Sequence, residues 1–597
     1  MAELHSNGSL HRGGDFAANN RLLLLSAFAV VIGGLSTLSA MVLLAAIRFF
    51  TNLFYFQTLS TAATSPADNH LGWLAIFVPA LGGLIVGLMA RFGSDKIRGH
   101  GIPEAIEAIL YGKSRMSPKV AILKPLSSGI VIGSGGPFGA EGPIIMTGGA
   151  AASLLAQAFH LTAAERKALL VAGACAGMTA VFGTPLAAVL LAVELLLFEL
   201  RPRSLLPVGL ACAIAGFLRP LWAGSGPLFP LETAEPGWIA MLSCVVAGLV
   251  SGAVSASMTR MLYFVEDFFS HLRLHWMWWP AIGGLVVGVV GYFMPRTLGV
   301  GYDNISLVLG GGIGMGAMLA LCLMKLVSWS VALGSGTSGG TLAPLFTIGG
   351  ALGGVLGIGL ATYLPWLGVD PKLAALVCMA AMFAGASRAF LTAVVFAFET
   401  TQQPHGLLPL LGACAAAFLV SGLMMRNTIM TEKIVRRGVR VPSEYSADYL
   451  DQIHVGDACS RNVVSLQGSQ TLGEVRQWLA TGGEKASHQG FPVLSDQGEL
   501  LGVLTRRNLF DPARADGVTL DTLLQRPPLV VGADHSLREA ADHMVEANVG
   551  RLIVVDPRVP MKMLGIITRG DLLAAHAKRL RSARHASRHF RFRESRQ

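Results

Sequence analysis

Charged residues are scarce in this chain. Only 14% of its 597 positions are Asp, Glu, Lys or Arg, against 52% hydrophobic, and the mean hydropathy is +0.56. That composition excludes a soluble globular protein and predicts an integral membrane protein. Cysteine patterning is missing too. Six of the seven cysteines (Cys175, Cys212, Cys244, Cys322, Cys378, Cys414) stand singly in apolar runs, and Cys459 stands alone. This spacing speaks against a metal site, a redox pair or a disulfide framework and reads as small buried side chains. No HExxH zinc pair and no GxSxG elbow is present, so an intramembrane hydrolase, the alternative of another class, has little support and no reaction is expected. The opening residues 1–21 lack a signal-peptide pattern and read as a cytoplasmic segment before a retained first anchor.

What the chain does have is glycine, 71 of them, and long apolar runs. These runs fall near 22–50, 71–91, 144–160, 168–200, 204–222, 237–265, 277–294, 313–333, 343–365, 372–400 and 406–425. Some can cross roughly 30 Å of hydrocarbon; others are short or interrupted by Gly and Pro, the pattern of broken helices around a midplane site. Two stretches, Gly135–Pro143 and Gly334–Pro344, are Gly-rich, end in proline and open an apolar helix, which fits an internal repeat. The loops 57–71 and 223–236 carry no Lys or Arg, whereas Arg91–Arg98, Lys113–Lys124, Arg201–Arg203 and Arg436–Arg440 are basic. The basic side is expected to face the cytoplasm, so a bacterial inner membrane with a cytoplasmic C-terminal region is expected.

After Arg440 the composition becomes that of a soluble α/β region. Two units follow, near 452–512 and 520–577, each with strands and an amphipathic helix. Each ends in a Gly-h-h-Thr-x-x-Asn/Asp signature, at Gly502–Asn508 and Gly565–Asp571, and the pair resembles tandem CBS domains. Such a pair could take an adenine nucleotide, with Thr568 at a phosphate and Asp571 at ribose hydroxyls. Asn508 replaces the acid in the first unit, and a dimerising cap without ligand is the plainer expectation. The tail 578–597 repeats Arg and His and reads as solvated, with anionic headgroups as its next partner and no nucleic acid.

The chemistry centres on Glu141, one carboxylate among glycines at the start of an apolar helix. An ionisable residue in that setting is a functional candidate. Three motifs, Gly99–Pro103 (GHGIP), Gly139–Pro143 (GAEGP) and Gly340–Pro344 (GTLAP), can aim three helix N-termini at one point. Each terminus supplies roughly +0.5 charge, enough together to hold a halide without a full positive side chain. In order, spacing and context the three motifs, with Lys124 ahead of GAEGP, resemble the CLC chloride channel and transporter family over residues 22–440. The resemblance implies a mainly α-helical multi-pass fold of inverted repeats of broken helices, followed here by the α/β CBS pair. It implies a homodimer with one chloride pathway per subunit and no required cofactor. It also implies Glu141 as the gate, Lys124 in the pore electrostatics, and anion contacts from His100, Gly101, Ile102, Gly142, Thr341, Leu342 and Met430.

Four positions depart from the family pattern. His100 stands where serine is usual, Leu342 where phenylalanine is, and Met430 where a tyrosine touches the central ion. Leu195 occupies the position of the glutamate that relays protons in the family's transporters, next to Glu194. Leucine cannot carry a proton. On these grounds the sequence favours a passive, gated chloride channel, with a chloride/proton antiporter as the alternative and Glu194, His100 or water as substitute proton routes.

Overall fold

The computed structural model describes residues 20–112, 114–159, 161–437, 450, 453–556, 559–575 and 577. The expected N-terminal segment, apart from its last residues, and the basic tail 578–597 lie outside them. The chain divides into two units, Met1–Tyr445 and Ser446–Gln597.

The first unit is helical, and eight of its helices are long and apolar enough to cross a membrane. Its first half runs α1 (Asn20–Thr51), α2 (Phe77–Phe92), α3 (Ile102–Leu110), α4 (Pro118–Gly133), α5 (Glu141–Gln157), α6 (Ala163–Phe182), α7 (Pro185–Leu191), α8 (Pro202–Leu218) and a short α9 (Pro220–Ala223). The second half repeats the order: α10 (Trp238–Ser270), α11 (Trp279–Phe293), α12 (Tyr302–Leu309), α13 (Met315–Gly334), α14 (Leu342–Tyr363), α15 (Pro371–Ser387), α16 (Phe390–Thr401) and α17 (Leu407–Met424). A last short helix, α18 (Glu432–Arg436), follows.

The halves exchange equivalent contacts, as a two-fold relation requires. A Cβ on Gly83 of α2 would lie 2.2 Å from the Pro280 carbonyl oxygen, and one on Gly284 of α11 would lie 2.3 Å from that of Pro79. Backbones meet directly there because neither residue has a side chain. The runs 168–200 and 372–400, each continuous by hydropathy, are each two helices. The breaks fall at Gly183 (φ 72°) before α7 and at Arg388 (φ 58°) before α16. A left-handed residue ends a helix whatever the surrounding hydropathy. Conversely, α3, α4 and α12 form where no long apolar run announces them, because their partners are other helices rather than lipid.

The second unit holds two three-stranded sheets. The first orders β1 (Leu466–Gln467), β2 (Gly490–Leu494) and β3 (Leu500–Thr505); the second orders β4 (Val530–Gly532), β5 (Arg551–Asp556) and β6 (Val559–Thr568). In each, the first pair is parallel and the second antiparallel. Helices of this unit include α19 (Val455–Ala458), α20 (Leu472–Thr481), α21 (Arg506–Leu509) and α22 (Leu537–Glu546). Helices α20 and α22 open on capping boxes, Thr471 with Glu474 and Ser536 with Glu539. Their apolar stripes, Leu472, Val475 and Leu479 in one and Leu537, Ala540 and Met544 in the other, enter separate cores.

Candidate anion pathway and gate

The loops before α5 and α14 meet head on. Gly139 and Gly340 pair as an antiparallel bridge, the Gly340 N–H donating to the Gly139 carbonyl at 3.0 Å and the Gly139 N–H returning at 3.4 Å. The α3 loop closes the group from a third side: a Cβ on Gly101 would lie 2.6 Å from the Gly142 oxygen, and one on Gly142 would lie 1.7 Å from that of His100. A further bond, from the Gly99 N–H to the Thr337 carbonyl at 2.7 Å, ties this loop to the one before α14. The three motifs read from the sequence are thus one structure, held by backbone contacts that side chains would prevent.

Glu141 is 1% exposed and occupies the gap between them. Its Oε1 accepts the Ala343 N–H of α14 at 3.1 Å and lies 3.5 Å from the Tyr302 hydroxyl. A Cβ on Gly139 would lie 2.0 Å from Oε2, and one on Gly340 2.3 Å from it, so these two glycines make the space the carboxylate fills. A carboxylate at the first turn of a helix is favoured by the unpaired N–H groups there. Among the described residues Oε2 and the Thr341 hydroxyl have no hydrogen-bond partner, and the His100 ring, beside the Ile429 backbone, has no side-chain partner; all are buried. Buried polar groups of this kind are costly in a dry interior unless a ligand or water meets them, and of these the Thr341 hydroxyl and one imidazole N–H are donors, whereas Oε2 is an acceptor. An anion suits those two donors, and the carboxylate would compete with it.

Of the other expected contacts, Ile102 begins α3 behind its cap Gly101, Gly142 follows Glu141, and Leu342 begins α14. His100 lies beside the Ile429 backbone, which places the neighbouring, fully buried Met430 near it. Lys124 is fully buried, and its ammonium donates to the carbonyls of Ile97 and Gly99, both at 2.8 Å. It braces the α3 loop while bringing a positive charge close to it.

The sequence reading missed the counterpart. Lys325 of α13 is equally buried and donates to the carbonyls of Thr297 and Gly299 at 3.0 and 3.1 Å, within electrostatic reach of Glu141. The signal was there: each lysine stands nine residues before the glycine of a Gly-Ser-Gly turn, Gly133 or Gly334. Tyr302 was missed as well. It sits at the start of α12, equivalent to Ile102 of α3, and packs against Phe182 and Phe229 at 5.8 and 6.2 Å between ring centroids.

Leu195 is buried in a π-helical turn, Ala192–Leu197. Its neighbour Glu194 accepts from the Leu391 N–H at 2.9 Å, the Thr392 N–H at 2.9 Å and the Thr392 hydroxyl at 2.6 Å. In the second unit, Thr568 and Asp571 bind each other, through the Thr568 N–H at 2.8 Å and its hydroxyl at 2.7 Å. Thr505 and Asn508 make the same turn in the first sheet.

Two inverted halves that carry helix N-termini and one carboxylate to a buried point define a multi-pass membrane transport protein. The voltage gated chloride channel family matches residues 82–422, more than half of the chain, and the chain belongs to that family. CBS domains match residues 455–512 and 520–578. Among relatives, the "H(+)/Cl(-) exchange transporter ClcA" of Yersinia pestis is 28% identical over 354 residues, 56% of this chain and 72% of the relative. That of Salmonella typhi is 26% identical over 431 residues, 68% of this chain and 88% of the relative. A Ralstonia nicotianae sequence, provisionally named chloride channel protein ClcB-like, is 26% identical over 58% of this chain and 82% of its own length. Two solved structures share the fold. A slow cyanobacterial Cl-/H+ antiporter has a TM-score of 0.63 at 21% identity, covering 70% of this chain and 99% of its own. A eukaryotic CLC transporter has a TM-score of 0.58 at 19% identity, covering 92% and 98%.

Proposed function

We propose that this protein exchanges chloride for protons across the membrane, with Glu141 as the shared gate. The observation that carries the reading is the place of the Glu141 carboxylate, at the N-terminus of α14 with Oε2 unpartnered. As an anion it competes with chloride for those N–H groups; protonated, it loses that attraction and leaves them to the ion. One carboxylate can therefore couple both movements. Relatives named as exchange transporters favour this reading over the passive channel that Leu195 and Met430 suggest. The channel remains the second reading, because Leu195 carries no proton and the Glu194 oxygens are engaged in capping α16.

The working unit is proposed to be a homodimer with one pathway per subunit, in a bacterial inner membrane with the CBS pair in the cytoplasm. Adenine nucleotide at Thr568 and Asp571 is a regulatory proposal, and chloride transport needs no cofactor. Reconstitution in liposomes under a chloride gradient tests the main reading. Exchange predicts a reversal potential displaced from the chloride Nernst value with stoichiometric proton uptake. A potential at that value without proton movement selects the channel. Glu141→Gln is expected to abolish proton movement and to remove the pH dependence of chloride flux.

A further inference from the structure

One side of the first unit opens into a pocket of about 560 Å³, lined among others by Arg98, His100, Glu104, Tyr263, Glu266 and Lys433. Two of its carboxylates are paired, Glu104 with Lys433 at 2.7 Å and Glu107 with Arg437 at 2.7 Å. Glu104 is further used by the Gly101 N–H at 2.9 Å, as the cap of α3. Glu266, half-buried in the last turn of α10, is different. Among the described residues no hydrogen bond or ion pair holds it; Lys433, Arg436, Arg98 and Asp267 act on it only from a distance. Its oxygens are open to the pocket and to whatever protons the solution there delivers.

Deeper in the same pocket stands His100, 4% exposed, its imidazole beside the Ile429 backbone and, among the described residues, without a side-chain partner. The charged groups facing it are Glu104, Lys433 and Lys124. Its carbonyl packs on Gly142, the residue after Glu141, so the loop carrying the imidazole touches the loop carrying the gate. An imidazole can accept a proton at one nitrogen and release one from the other. Of the candidate routes around Leu195, Glu194 is consumed as a cap, which leaves His100 and water.

We propose that Glu266 takes up the proton from the solution on this side and delivers it, through pocket water and the His100 imidazole, to Glu141, in place of the missing acid at Leu195. This inference rests on the exchange reading. The balance is simple: the Glu266 carboxylate gains a proton and gives it up, the imidazole becomes imidazolium and returns to neutral, and the Glu141 carboxylate ends protonated. No other bond changes.

The test is Glu266→Gln in the full chain, with chloride efflux and proton uptake recorded from the same liposomes. The expected result is chloride efflux near the wild-type rate with proton uptake reduced roughly a hundredfold, the lower end of what a positioned proton-transferring group contributes. Glu266→Asp should recover part of the uptake, and His100→Gln should lose it. Wild-type proton uptake per chloride in Glu266→Gln would overturn the inference and leave exchange standing. Loss of chloride and proton flux together, with Glu266→Asp no better, would make Glu266 structural and overturn it too. A wild-type protein that moves no protons would overturn both readings at once.

Discussion

Glu194 and Glu399 seal each other's helices. Glu399, in α16, accepts the Leu186 and Ala187 N–H groups of α7 at 3.0 and 2.8 Å, while Glu194, just past α7, accepts the Leu391 and Thr392 N–H groups of α16. Each glutamate stands nine residues after the first residue of its helix, Pro185 or Phe390, so the exchange is a product of the repeat. Buried helix N-termini leave N–H groups that lipid cannot satisfy, and a carboxylate from the partner half meets them.

Glu194→Leu is therefore expected to behave as a structural lesion. It strands the buried Thr392 N–H and hydroxyl and the part-buried Leu391 N–H, at about 1–3 kcal/mol for each buried group before relaxation. A lower melting temperature in detergent, with the proton-to-chloride ratio of the surviving protein unchanged, checks this. A normal melting temperature with lost coupling would return Glu194 to the proton path.

At the gate, Gly340→Ala should displace Glu141. The new methyl would begin 2.3 Å from Oε2, a distance no carbon–oxygen contact tolerates. Chloride efflux at alkaline pH, where an ionised carboxylate should compete best, is expected to rise toward the level of Glu141→Gln. On the proposed reading, protonation of Glu141 at falling pH should open the wild type, so the variant and the wild type should converge in acid. Unchanged efflux across the pH range would place the carboxylate elsewhere in the working protein.

Lys325→Met keeps the length of the side chain and removes its charge. The Thr297 and Gly299 carbonyls lose their donor, for a cost of about 1–3 kcal/mol apiece. Chloride affinity should weaken as well, because a buried cation near Glu141 raises the local positive potential. Titrating efflux against chloride concentration in Lys325→Met and Lys325→Arg separates the two effects, since arginine keeps the charge.

In the second unit, Thr471→Ala and Ser536→Ala each remove an N-cap and are expected to cost about 1 kcal/mol. Urea unfolding of this unit within the full chain, followed by Trp478 fluorescence, should report the first of these directly. Adenine nucleotide, if it binds at Thr568 and Asp571, should raise the same midpoint, and Asp571→Ala should abolish that rise.

Much of this was legible in the residues. Hydropathy located the long spans, and the spacing of GHGIP, GAEGP and GTLAP identified the loops that meet around Glu141. It failed at α7 and α16, which hydropathy fused to their neighbours, because one left-handed residue turns a chain without changing its polarity. Lys325 and Tyr302 escaped notice because each matters through its partner in the other half of the repeat. Glu194 read from sequence as a substitute proton route, and only the fold shows that Leu391 and Thr392 engage both of its oxygens.

Composition and motif order by themselves determined that this chain lies in a membrane, belongs to a chloride channel family and ends in a CBS pair, and they singled out Glu141. They follow from solvation and backbone freedom, which are local properties of each stretch. The tertiary structure decided which polar groups are used up and which are left open. That is a question of partners far apart in sequence: Glu194 finds its own across 197 positions, while Glu266 and His100 line one pocket.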